Sequence, residues 1–284
     1  MIRRPPYQRD SAATGCTGIV KATTVALALA LWGACAKTGP DPRYYYPAEA
    51  LTQGRVYAYE PVAPLGGAPH YWYFRSVETP DSTVLVSTYY DAAFAPRQLV
   101  RERLVSQGAL LRDLRLYFPT PSGESVAAEA EVLQPALFSF EAPDPRRLLV
   151  SAVRVTEPGP QPAPIPAPIP TPDPSPSPSP SPTSLPRSPS RARYTVTRNR
   201  HYSRDTVYVL DGRPLPAQVW AVRELTEQDS VGVLAVESRA LEIYAEGVGL
   251  VYRERRFDNG EGEAYRLARR MPMDSLDALA RGVR

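Results

Sequence analysis

The chain has 284 residues, enough for one large or two small domains, with 33 Lys and Arg against 30 Asp and Glu. Its basic excess belongs to the leader: residues 1–34 hold Arg3, Arg4, Arg9 and Lys21 against Asp10 alone, and without them 29 bases face 29 acids. A neutral chain has no surplus cations to displace counterions from phosphates, so nucleic acid is not an expected partner.

Residues Ala22 to Ala34 are uncharged and mostly apolar, between Lys21 and Cys35. Thirteen residues in a helix span about 20 Å, short of a hydrocarbon core of roughly 30 Å, so the run reads as the h-region of a secretory signal. Gly33-Ala34-Cys35 resembles the lipobox of bacterial lipoproteins, with Trp32 where those usually carry Leu. The resemblance implies cleavage between Ala34 and Cys35 and lipidation of Cys35. The alternative is ordinary cleavage after Ala36, since Ala34-Cys35-Ala36 also obeys a small-x-small rule. Cys16 leaves with the leader, so no disulfide is expected within the mature chain. Diacylglycerol plus an amide-linked chain would anchor the protein firmly. Ala36 is not the aspartate of inner-membrane retention signals, and resemblance to those sorting rules favours the outer membrane. The expected organisation is a signal peptide over 1–34, a lipidated tether over 35–43, and two β-halves, 44–156 and 192–270. A Pro-rich disordered insertion over 157–191 separates the halves, and 271–284 form a C-terminal tail.

Downstream of Tyr44-Tyr45-Tyr46-Pro47, the alternation of Gly54 to Glu60 predicts a first strand. His70–Phe74 and Ser82–Tyr90 are rich in aromatic and β-branched residues, with Thr79-Pro-Asp81 as the turn of a hairpin. Gln98–Phe118 reads two ways. Val100, Leu104, Gln107, Leu111, Leu114 and Phe118 share one helical face, yet from Leu110 to Phe118 every second residue except Arg112 is apolar. Gly108 interrupts the middle, and a hairpin turning near Gln107-Gly108 is the expectation. Val126–Val132 and Leu148–Val155 continue as strands.

From Glu157 to Ser190, 15 of 34 residues are proline, mostly as X-Pro repeats. Prolines at every second position remove backbone donors and push each preceding residue away from helix, leaving polyproline II. A spacer or loop insertion follows from that composition. Beyond it, Ala192–Arg198, Thr206–Leu210, Gln218–Glu224 and Ser230–Val236 read as strands. Asp211-Gly212 is a turn, and Leu241–Tyr252 leads to a hairpin at Asp258–Gly262 and a last strand, Ala264–Ala268. Asp274 or Ser275 would cap a short helix through Leu279. The later strands make an all-β unit too small to be comfortable alone. Joined with the first half they form one antiparallel β-domain: a curved sheet, sandwich or half-barrel. Loop-closure entropy grows only logarithmically, so the insertion is tolerable.

Catalytic signals are weak. His70 and His201 have no partners at zinc-ligand spacing, so neither a metal nor a cofactor is expected. His201 is expected in a polar loop with Tyr202, Ser203, Arg204 and Asp205, and consecutive loop residues do not make a Ser–His–Asp triad. Glu129 and Glu131 alternate onto one strand face, as solvated sheet does. Gly247 and Gly249 fall on one face and invite a bulge or a close backbone approach. The chain carries 17 tyrosines against 6 phenylalanines. Tyrosine suits half-buried strands, and exposed rings can stack on sugars or line an amphiphile groove.

Two stretches, Ile243-Tyr-Ala-Glu-Gly-Val-Gly-Leu-Val251 and Tyr46-Pro-Ala-Glu-Ala-Leu-Thr-Gln-Gly-Arg-Val-Tyr-Ala-Tyr59, resemble bacterial envelope lipoproteins that include the TapB-like proteins. The resemblance covers the two ends of the folded region and implies curved antiparallel sheets with no characterised catalytic site. The expected function is a lipid-anchored envelope protein with a structural or binding role and no catalysis. Its partners would be the membrane, through the acyl anchor, and an envelope polymer or amphiphile ligand. A periplasmic carrier or chaperone for amphiphiles is the first alternative, and an exported hydrolase the second. Metabolic acyl labelling checks the anchor: label is expected on the wild type and absent from Cys35→Ser. An unlabelled soluble protein beginning after Ala36 would overturn lipidation.

Overall fold

The computed structural model describes residues 42–120, 123–158, 192–229 and 235–283. Ala34, Cys35 and the Pro-rich stretch 159–191 lie outside them. Twelve strands follow in chain order: β1 (Arg55–Pro61), β2 (His70–Thr79), β3 (Ser82–Tyr90), β4 (Pro96–Val105), β5 (Gly108–Pro119) and β6 (Ser125–Ser139), then β7 (Leu148–Thr156), β8 (Arg193–Leu210), β9 (Arg213–Gln228), β10 (Ala235–Ala245), β11 (Gly249–Phe257) and β12 (Gly262–Met271). Each pairs antiparallel with its sequence neighbours, and β1 pairs with β12, so the sheet closes as an up-and-down barrel. The all-β expectation holds, with closure complete rather than partial. β7 pairs directly with β8 from Leu148↔His201 to Thr156↔Arg193, so strands from both sides of the Pro-rich stretch share one ring. Every ladder lies within residues 55–271, and the barrel closes without the first 41 residues.

Tight turns fix the register. Pro80-Asp81 joins β2 to β3 and Ser106-Gln107 joins β4 to β5, each as a two-residue loop. Asp211 and Gly212 have φ of 52° and 75°, the left-handed pair that suits a type I′ hairpin. The 98–118 hairpin is present, and the helical spacing has a local cause. Glu102 faces Leu111 while Arg101 faces Asp113, so Arg112 is the extra residue of a bulge. Inward positions shift phase across it, from Ala109 and Leu111 to Leu114 and Leu116.

Three expectations are corrected. His201–Asp205 is not a loop but the middle of β8, with Ser203 bulged between Tyr202↔Trp220 and Arg204↔Val219. Leu241–Tyr252 is not one strand: the chain turns at Glu246-Gly247-Val248 between β10 and β11. Gly247 lies in that turn at φ +70°, so it does not share a sheet face with Gly249. The C-terminal helix α1 runs Met273–Val283, longer than expected at both ends.

The interior is filled from one end. Two 3-10 turns, Pro42–Tyr44 and Ala48–Leu51, carry the chain into that end, where Tyr45 and Leu51 are buried. Tyr45 packs against Phe138, Phe140 and Tyr244, while Tyr46 stacks on Phe74 at 4.0 Å and meets Tyr57 edge-on. The carbonyls of Val248 and Leu250, beyond the β11–β12 ladder, accept the Tyr57 and Tyr59 hydroxyls at 3.1 and 2.8 Å. On the outside, α1 lays Leu276 over Val56, Ala58 and Met271. The rest of the outer wall carries cross-strand ion pairs such as Arg101–Asp113 and Arg223–Glu237. An arginine facing lipid there would cost about 2–4 kcal/mol, so this wall faces water.

Gly249 has φ +97°, and a Cβ built on it would stand 2.5 Å from the Tyr46 ring, which Phe74 and Tyr57 hold in place. Gly249→Ala is expected to destabilise the barrel by about 2–4 kcal/mol through backbone strain and overpacking, measured by urea unfolding.

Candidate functional site

Opposed residues on antiparallel strands share a face, so the ladders define what the lumen contains. On β8, Tyr194, Val196, Arg198 and Arg200 follow one inward alternation. On β11 it is Val251, Arg253 and Arg255. Between them β9 and β10 contribute Trp220, Val222 and Glu224, then Ser238 and Glu242, and β12 adds Glu263 and Tyr265. The plug leaves a cavity of about 550 Å³, floored by Tyr45, Tyr46 and Tyr244 and continuing along the strands to Tyr59, His70, Glu263 and Tyr265.

This lumen has two unlike walls. From β4 to β7, Val100, Leu111, Leu114, Val153 and Val155 form an apolar cluster, with Leu116 packed against it. From β8 to β12 the wall is charged. Glu242, 2 % exposed, accepts from Arg198 Nη2 at 2.8 Å, Arg200 Nη2 at 2.6 Å and the Tyr244 hydroxyl at 3.2 Å. Arg198 Nε lies 3.1 Å from Glu224, which also takes the Arg255 guanidinium. Arg255 Nε donates to Ser238 Oγ at 3.0 Å, and the Arg200 guanidinium also reaches the Leu137 carbonyl. β5 and β11 stand six strands apart in a ring of twelve, so Leu111, Leu114 and Leu116 face Arg253 and Arg255 across the lumen.

Electrostatics follow from burial and neighbours. For Glu242 burial favours the neutral form, but Arg200, Arg198 and Arg253 together outweigh it and hold the carboxyl at about 2. Glu102, on β4, has no such ring of cations. Burial pushes it up to about 7 against the pull of the Tyr45 hydroxyl, which donates to it, and of Arg200. Burial, reinforced by Arg253, drives the His70 imidazole down to about 4, and its Nδ1 has no hydrogen-bond partner among the described residues. His70 is therefore neutral near pH 7, stacked on Tyr59.

The residues singled out in the sequence do not converge. His70 lines the lumen, whereas His201 is exposed on β8. Glu131 is on the outer wall, paired with Arg154 at 2.9 Å. Among the described residues no three His, Cys, Asp or Glu side chains are grouped to hold a metal. The tyrosine excess does find a place, because Tyr45, Tyr46, Tyr59, Tyr89, Tyr244 and Tyr265 line the cavity. The arginines and Glu102, Glu224 and Glu242 do not stand out in the sequence, since charged residues on strands usually face solvent. The signal was their phase: Arg198 and Arg200 continue the alternation of Tyr194 and Val196, and Arg253 and Arg255 lie between Val251 and Phe257.

No family model matches the chain, and no curated protein does. Two solved structures are similar to it. One is a candidate lipoprotein of Parabacteroides distasonis, at 11% identity and TM-score 0.47. The other is a candidate exported protein with a YmcC-like fold from Bacteroides fragilis, at 14% identity and TM-score 0.44. Each likeness covers 80% of this chain and 98% of the other.

A carboxyl raised from 4.5 to about 7 on folding makes the folded state prefer the proton. Its favourable contribution is complete below the unfolded value and is lost as pH rises through about 7. Relative to Glu102→Gln, which keeps an acceptor for Tyr45 but cannot titrate, the wild type is expected to lose about 2–3 kcal/mol between pH 5 and pH 8. Paired urea titrations of both proteins at the two pH values measure the difference.

Proposed function

We propose that the protein is a non-catalytic binding protein of the cell envelope, lipid-anchored through Cys35 in the outer membrane, whose barrel lumen receives a small amphiphile. The observation that carries this reading is the lumen itself: a cavity of about 550 Å³ with an apolar wall on β4 to β7 and a charged wall on β8 to β12. Ligand sites typically occupy about 300–1,000 Å³, mostly apolar with a few placed polar groups. Among the functions weighed from the sequence, a carrier needs an apolar concavity and a hydrolase needs His201 converging with acids. His201 faces away from the cavity's acids, in solvent. His70 makes no hydrogen bond to a nucleophile or to an orienting carboxylate among the described residues, which leaves it without the partners of a general base.

Residues 36–284 contain every strand of the ring and serve for the test. Neutral N-phenyl-1-naphthylamine is expected to bind saturably, about one per chain, with its fluorescence enhanced. Leu116→Trp, which puts a large ring into the cavity from β5, is expected to weaken that binding at least tenfold with the circular dichroism spectrum unchanged. Absence of saturable binding, or equal binding by the variant, would sink the reading.

A further inference from the structure

We infer that the lumen selects amphiphiles carrying a single negative charge, and that Arg253 is the residue that receives it. This rests on the lumen being the binding site and adds which ligands it takes.

Four guanidinium groups line the cavity, and three of them are committed. Arg198 and Arg200 share Glu242, and Arg198 and Arg255 share Glu224, each contact at 3.1 Å or less. Arg253 is the fourth. Its nearest carboxylate is Glu242 Oε1 at 3.9 Å, beyond hydrogen-bond range, and that oxygen already accepts from Arg198 at 2.8 Å. The Arg253 side chain makes no hydrogen bond among the described residues; the Nε–H groups of Arg198 and Arg200 also lack a hydrogen-bond partner, but their Nη2 groups donate to Glu242, which no atom of the Arg253 side chain does.

The nearby carboxylates give it no hydrogen bond. Glu242 attracts it from 3.9 Å but is bonded to Arg198 and Arg200, Glu224 is taken by Arg198 and Arg255, and Glu263 accepts the Tyr265 hydroxyl at 3.3 Å. Glu102 lies on β4, across the ring, held by Tyr45. A guanidinium without a hydrogen-bonded partner beside a cavity favours an anionic oxygen there, because a charge-assisted hydrogen bond is about twice as strong as a neutral one. Its surroundings suit a head group. His70, Tyr89 and Tyr265 line the same cavity, and His70, neutral near pH 7, adds no competing positive charge. Arg253 remains 29 % exposed and lines the cavity, so a group held in the cavity reaches it. Opposite stands the leucine and valine wall, and a ligand bridging the two must be an anion at one end and apolar at the other. One unmatched arginine calls for one charge.

Carboxylates and phosphate monoesters share this chemistry, and the probes separate them. With residues 36–284, displacement of N-phenyl-1-naphthylamine would be followed for decanoate, decyl phosphate, decanol and decyltrimethylammonium. At least one of the anions is expected to displace the probe at tenfold lower concentration than decanol, and the cation to be the weakest. The stronger anion identifies the head group as carboxylate or phosphate. Arg253→Gln is expected to bring the anions within twofold of decanol while leaving decanol and the probe unchanged. Arg253→Lys, which keeps the charge but loses the fork, should fall between, and Arg239→Gln on the outer wall should change nothing. If the probe binds but neither anion outcompetes decanol, or Arg253→Gln keeps the preference, the selectivity assigned to Arg253 is wrong and the lumen stands as a binding site. If the probe itself does not bind, the binding reading beneath it falls.

Discussion

A ring of twelve strands encloses more space than its own inward side chains can fill. Eight strands make a barrel whose interior is just filled, and each further strand widens it. The fold answers at one end with chain from outside the ring: Tyr45, Tyr46 and Leu51 enter the lumen and complete an aromatic core with Phe74, Phe138 and Tyr244. Among the described residues no such plug enters at the other end. There the charged wall and the apolar wall stand apart around a cavity, so the width that the plug corrects below becomes usable volume above.

The charged wall makes a poor stability device. Removing two ions from water costs several kcal/mol each, and well-packed hydrophobic residues of similar volume often do as well or better. Glu242 has its charge compensated by Arg198, Arg200 and Tyr244, so the cost is offset without leaving a gain to explain the wall's existence. A lumen serving only as core would be expected to continue the leucines and valines of β4 to β7 round the ring. A wall that is polar, internally bonded and next to open space fits recognition better than packing.

Much of the fold was legible from turns and alternation. The Pro80-Asp81 and Asp211-Gly212 turns and the hairpin around Gln107 follow from local chemistry that tertiary packing does not override. What alternation could not supply was closure, because β1 to β12 pairing joins residues more than two hundred positions apart. It also failed at bulges. Arg112 and Ser203 each insert one residue and flip the inward phase, which made one hairpin look partly helical and one long strand look like two with a polar loop between. The candidate site was hidden by a different rule. Charges on strands usually face water, and in a barrel with a polar lumen the inward face breaks that rule. Tyrosine abundance was the one part of the site visible beforehand, and its meaning depended on knowing that the strands close.

Tyr45 ties the plug to the chemistry of the lumen. Its hydroxyl donates to Glu102 while its ring packs between Phe138 and Tyr244, and Tyr244 in turn bonds the Glu242 that neutralises Arg198 and Arg200. Floor, acid and charged wall are therefore one connected set, and in such networks a change at one member is felt at the others. Glu102 bears the burial cost with only one close donor, Glu242 with three, and this difference sets one carboxyl near 7 and the other near 2. Near pH 7 Glu102 is thus only partly ionised, and it offers little competition to an anion for the guanidinium on the opposite side. The plug that closes the barrel also buries this acid, and by doing so it keeps the positive character of the open half from being cancelled from within.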